Sequence, residues 1–87
     1  MVNYKTFKEK LMECWEEQNE FGITIDTEGG FISMAYCFSD ENIPLISILL
    51  FSETTGGIVR GDSVYEEGMD DDFLQGVFKY ITTGEEY

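Results

Sequence analysis

Phe31-Ile-Ser-Met-Ala-Tyr-Cys-Phe-Ser39 and Pro44-Leu-Ile-Ser-Ile-Leu-Leu-Phe51, joined by Asp40-Glu-Asn-Ile43, decide the fold. Two β-prone apolar runs flank turn chemistry that ends at the only proline of the chain, the pattern of an antiparallel hairpin. In the first run Ile32, Met34, Tyr36 and Phe38 fall on one face, and Ser33, Ala35, Cys37 and Ser39 make the other face small. The second run is apolar on both faces, with Ile46, Ile48 and Leu50 on one and Leu45, Leu49 and Phe51 on the other. Such a strand belongs in the middle of a sheet. The hairpin carries no chemistry, so function must come from what surrounds it.

Working outward, residues 4–20 are predicted as a helix. Tyr4, Phe7, Leu11, Cys14, Trp15 and Gln18 recur at three- and four-residue spacing, with Asn3 as N-cap and Gly22 as stop. A strand over 21–26 follows, with Phe21, Ile23 and Ile25 on one face, and Thr27-Glu-Gly-Gly30 turns it into the central hairpin. Beyond Phe51, residues 52–57 read as a flexible loop. Residues 58–60 read as a short edge strand that continues toward Tyr65. The second helix is predicted over 70–83, with Phe73, Leu74, Val77, Phe78 and Ile81 buried and Gly84 as stop. The whole is one small α+β domain over residues 1–87. Its three- to four-stranded antiparallel β-meander carries an N-terminal and a C-terminal helix on one face, in the order αβββ(β)α.

Composition excludes more than it selects. The 87 residues hold no histidine, which removes the commonest general base and metal ligand and the hydrolase triads. Gly29-Gly30 and Gly56-Gly57 lack the spacing and the lysine of a phosphate-cradling loop. Cys14 and Cys37 have no basic neighbour in sequence to activate a thiol, and read as buried thiols of a reducing compartment. Neither Asp40-Glu41-Asn42 nor Asp70-Asp71-Asp72 has the alternating ligands of a calcium loop, and the three aspartates read as the cap and first turn of a helix. No enzyme activity, cofactor or metal is expected. With no leader pattern and no spanning run, the chain is expected to be soluble and cytoplasmic.

Charge is the unusual quantity. Eighteen acidic residues stand against five basic ones, a formal −13, where a small domain is comfortable at a magnitude of about 2–8. Placement is as telling as amount. Between Leu11 and Val59 there are nine acids and no Lys or Arg, and between Gly61 and Phe78 six more acids and again no base. Glu13, Glu16, Glu17 and Glu20 crowd the end of the first predicted helix, where the dipole and their own repulsion oppose them. Four carboxylates over a rise of about 10 Å give roughly one charge per 2.6 Å, within the range of ~1.7 to ~3.4 Å set by double- and single-stranded nucleic acid. Direct binding of nucleic acid or an anionic membrane is therefore not expected, and a basic protein is the expected partner. The apolar row that the helices leave uncovered, and Tyr36, Tyr65, Tyr80 and Tyr87, are further contact candidates.

This organisation resembles small acidic phage-encoded inhibitors, the anti-CRISPR proteins and other DNA mimics. Chain length, the −13 charge, the α-β-β-β-α order and the acid-only stretches 13–20 and 62–72 carry the likeness over the whole chain, without a sequence motif. The resemblance implies a non-enzymatic protein that occupies the nucleic-acid groove of a host defence nuclease, such as a CRISPR effector, or of a DNA repair or restriction enzyme, in a bacterial cytoplasm. Glu13, Glu16, Glu17, Glu20, Asp40, Glu41, Glu66, Glu67, Asp70, Asp71 and Asp72 would then stand in for phosphates. Two other readings share the composition: an immunity or antitoxin protein for a cationic toxin, and a scaffolding module or homodimer that self-associates through the uncovered sheet face.

Overall fold

The computed structural model describes residues 2–85. The central hairpin is formed by β2 (Gly30–Phe38) and β3 (Pro44–Ser52), paired in register from Phe31 opposite Phe51 to Phe38 opposite Pro44. β1 (Ile23–Thr27) adds antiparallel to β2 and β4 (Ile58–Tyr65) to β3, giving a meander of order β1-β2-β3-β4. The fourth strand is a full eight residues rather than a short edge piece. Before and after the sheet run α1 (Tyr4–Glu17) and α2 (Asp71–Thr83), with a 3₁₀ turn over Glu66–Gly68. This is the α+β meander expected from the sequence. No helix of the described residues is long and apolar enough to cross a membrane.

Alternation along the strands sends Ile32, Met34, Tyr36, Ile46, Ile48 and Val64 to the side that both helices cover, where Phe7, Leu11 and Cys14 of α1 meet Leu74, Val77 and Ile81 of α2. These side chains make the single core, and each fully buried aliphatic contributes roughly 1.5–3 kcal/mol of transfer free energy. Two close approaches fix the sheet. A methyl group at Gly30 would run into the carbonyl oxygen of Phe51 across the ladder. A bulge at Leu50/Phe51 leaves Val59 as the extra residue and turns Arg60 back beneath the helices, where its Nε donates to the Ile81 carbonyl at 3.2 Å. Arg60 thereby ties β4 to the last turn of α2.

Helix ends follow their caps. Asn3 Oδ1 accepts from the Thr6 amide, and Asp70 Oδ1 from the Phe73 amide, as the sequence predicts. Gly84 ends α2 at φ 83°, a left-handed conformation that glycine adopts without strain. The end of α1 differs from expectation. It stops at Glu17, three residues early, because Gln18 turns left-handed and its amide closes on the Cys14 and Trp15 carbonyls. Asn19 then redirects the chain. Its carbonyl accepts from the Tyr36 amide at 2.8 Å, and its Oδ1 accepts from the amides of Phe21 and Gly22. Glu20 therefore lies in a turn and not on the helix, and Gln18 is exposed rather than part of the apolar stripe. Phe21, expected in the first strand on one face with Ile23 and Ile25, stands fully exposed outside β1. The loop 52–57 is a turn bonded to itself, with the Ser52 amide on the Gly57 carbonyl and the Gly56 amide on that of Ser52. Cys37 is half-buried on the far side of the sheet, because its strand position points away from the helices, and only Cys14 is a core thiol.

Candidate functional site

Antiparallel pairing brings several chain ends together. The last turn of α1 is tied through Asn19 to Tyr36, near the end of β2. Phe38 pairs with Pro44 there, and Leu45 with Tyr65 at the end of β4. Glu16, Glu17 and Glu20, the Asp40-Glu41 turn, and Glu66 and Glu67 therefore all sit at one end of the sheet. Asp40, Glu41 and Glu67 line a single open groove of about 430 Å³ with Ile43 and Tyr65.

Not all eleven candidate acids are free for a partner. Glu13 pairs with Lys10 at 3.4 Å. Asp70 is spent on the α2 cap. Asp71 takes the Lys8 ammonium and the Tyr4 hydroxyl, the latter at 2.9 Å, and so ties the start of α2 to α1. The Lys8 hydrogen bond, followed by that of Tyr4, holds the Asp71 carboxyl below the usual carboxylate range. Burial, reinforced by Asp71, pushes the Tyr4 phenol up to about 12. Sequence reasoning missed this link because Lys8 and Asp71 are 63 positions apart. Among the described residues, no Lys or Arg forms an ion pair with Glu16, Glu17, Glu20, Asp40, Glu41, Glu66, Glu67 or Asp72. The opposite end is mixed, holding Glu28 and Glu53 together with Arg60 and the Lys79–Glu85 pair.

The acidic end also carries apolar side chains that the sequence did not single out for contact. Phe21, Phe38 and Ile43 are among the exposed large hydrophobics. Alternation puts Phe38 on the face of Ile32, Met34 and Tyr36, yet it is half-exposed. It lies past the helix cover and packs edge-on against Tyr36, which in turn meets Trp15. The sequence signal for Phe21 is weak: an asparagine two residues before it, able to bond the amides that follow.

The far face of the sheet is the second feature. Phe31, Ser33, Ala35 and Cys37 of β2 and Leu45, Ser47, Leu49 and Phe51 of β3 point away from both helices, and none belongs to the core cluster. This is the apolar row left uncovered. Phe31 and Phe51 stack at 5.0 Å with planes 12° apart, and Leu49 leans over Gly61, where a side chain would meet it. Leu45 is buried between its ladder neighbours Cys37 and Tyr65. Tyr36 is core, Tyr65 and Tyr80 are half-buried, and Tyr87 lies outside the described residues.

Cys14 is buried with its Sγ against the Asn19 and Met34 carbonyls, and burial, followed by Glu17 and Glu13, raises its thiol pKa. Among the described residues no group of three or more Cys, Asp or Glu comes together to hold a metal ion. A cavity of about 520 Å³ opens at the mixed end, walled by Val2, Leu50, Phe51 and Phe78 with Arg60 at its side. Arg60 already serves the end of α2. Comparison with protein-family models, curated proteins and solved structures finds no match to the chain.

Proposed function

We propose that this protein is a non-enzymatic acidic inhibitor that binds a basic nucleic-acid-binding protein. Its target would be a host defence nuclease such as a CRISPR effector, or a repair or restriction enzyme, in a bacterial cytoplasm. The single observation that supports this reading is the crowding of unpaired carboxylates at one end. Glu16, Glu17, Glu20, Asp40, Glu41, Glu66 and Glu67 form no ion pair among the described residues. A fold that placed charge only to stay dissolved would intersperse both signs. A surface of one sign instead steers a cationic partner and raises its association rate. Glu13, Asp70 and Asp71 serve the fold first and contribute through the field they add, as does Asp72 in the first turn of α2.

The test is stoichiometric inhibition. The protein is titrated into cleavage reactions of guide-loaded CRISPR effectors, restriction enzymes and repair nucleases. Loss of DNA binding near a one-to-one ratio at about 0.05 M salt, relieved at about 0.5 M, is expected. Unimpaired DNA binding across the panel would remove the reading. Tight capture of one small cationic toxin in its place would assign the protein to immunity.

A further inference from the structure

We propose that the cavity at the mixed end is a binding site for a small amphipathic monocarboxylate, an aliphatic acid whose chain lies in the apolar hollow and whose carboxylate meets Arg60. The site lies away from the acidic end and does not rest on the inhibitor reading. Its walls come from segments that meet only in the fold: Val2 ahead of α1, Leu50 and Phe51 of β3, Val59 of β4 and Phe78 of α2. All five side chains are apolar. The hollow of about 520 Å³ falls within the range of about 300–1,000 Å³ usual for small-molecule sites. A methylene takes close to the ~30 Å³ of one water molecule, so a chain of about ten carbons needs on the order of 300 Å³. Such a chain fits.

Arg60 selects the head group. The bulge that sets Val59 aside brings the Arg60 guanidinium to the last turn of α2, whose Thr82 and Thr83 line the same cavity. Its Nε donates to the Ile81 carbonyl. A guanidinium has further donors on Nη1 and Nη2, and among the described residues no carboxylate forms an ion pair with them. In a chain of net charge −13, a cation is thus left beside an apolar hollow, with a fork that matches carboxylate geometry. Two opposing charges limit the ligand. The C-terminal end of α2 carries about half a negative charge, and Glu28 stands exposed at the cavity. Together they offset part of the Arg60 charge, which disfavours a dianion such as a phosphate monoester. They do not reverse the preference, because Arg60 is half-buried and solvent screens it less than the exposed Glu28. A single carboxylate matches what remains.

Titration of the intact chain with decanoate, decanol and decylammonium tests the assignment by calorimetry and by amide shifts in NMR. The titrations are run at about 0.15 M salt, where the field of the distant carboxylates is screened. Decanoate should bind one to one with a dissociation constant on the order of 0.1 mM, shifting the amides of Leu50, Arg60 and Phe78. Shortening the acid to octanoate should weaken binding roughly fourfold for each methylene removed. Arg60→Gln keeps a donor for the Ile81 carbonyl but removes the charge. It should weaken decanoate about tenfold or more and leave decanol unchanged. Val59→Glu, at a half-exposed position on the cavity, sets a carboxylate beside Arg60 and should act the same way if the first variant unfolds. Decanoate that shows no saturable binding, or that binds no tighter than decanol or decylammonium, overturns the proposal. So does a decanoate affinity that both variants leave intact, since Arg60 would then hold no head group.

Discussion

The acidic end and the open sheet face are built from the same strands, yet they solve opposite problems. At the acidic end, turns and helix termini project carboxylates that no lysine or arginine of the described residues neutralises. On the sheet face a few residues away, the outward rows of β2 and β3 carry no charge at all. Charge in this chain is therefore positioned, not merely abundant. The strand rows are set by alternation and hold, of the charged residues, Asp26, Arg60 and Asp62 alone. The loops and helices are under no such constraint and hold most of the acid. The charged end and the neutral face can thus be altered separately.

The sharpest way to separate the two sides of the sheet is to truncate neighbours on one strand. Ile48 is fully buried beneath the helices and Leu49 is half-exposed on the open face. Ile48→Ala should cost about 2–5 kcal/mol of unfolding free energy in urea melts. Leu49→Ala should cost about 1 kcal/mol or less. Equal losses would mean that the open face is packed like core.

Neutralising the acidic end comes next. The combined change of Glu16, Glu17, Glu20 and Glu41 to Gln and Asp40 to Asn should weaken binding to a basic target by roughly 3 kcal/mol, about a hundredfold, if each rim charge is worth about 0.6 kcal/mol. Calorimetry at low salt would measure it. The same variant should melt higher than the parent because self-repulsion falls. A variant that binds as before places the contact elsewhere.

A smaller effect distinguishes acids that serve the fold. Asp70→Ala removes the α2 cap and should cost about 1 kcal/mol, whereas Asp72→Ala should leave stability nearly unchanged.

The smallest effect is a titration. Asp71 has a lowered pKa in the fold, so the stability it lends is present above the ordinary carboxylate pKa of ~3.9 and fades as pH falls through its folded value. Lys8→Ala should move the Asp71 titration, read by NMR, up toward the ordinary value. An unmoved titration would show that the ion pair is not formed in solution.

Much of this architecture can be read from one sequence, for definable reasons. The β2–β3 hairpin and α2 are carried by strong local signals: two long β-prone apolar runs around a turn that ends at proline, and an aspartate cap with a glycine stop. The end of α1 is not, because the residue that stops it is Gln18 in a left-handed conformation that side chains seldom adopt. Its cause is tertiary, in the bond from the Tyr36 amide to Asn19, and a local pattern cannot register a partner 17 positions away. The exposure of Phe21 follows from the same turn. The acid-rich segments were legible from composition. Which acids are consumed internally was not, since the partners of Asp71 lie 63 and 67 positions away.

The central claim is that the acidic end substitutes for nucleic acid on a basic protein. Displacement of labelled DNA from a guide-loaded effector or a repair or restriction enzyme, followed by fluorescence anisotropy as the protein is added, tests it most directly. Release of the DNA near equimolar protein at low salt, lost in the five-site neutral variant, is the predicted result. DNA that stays bound to every such protein at large excess, or release that the neutral variant matches, would contradict it.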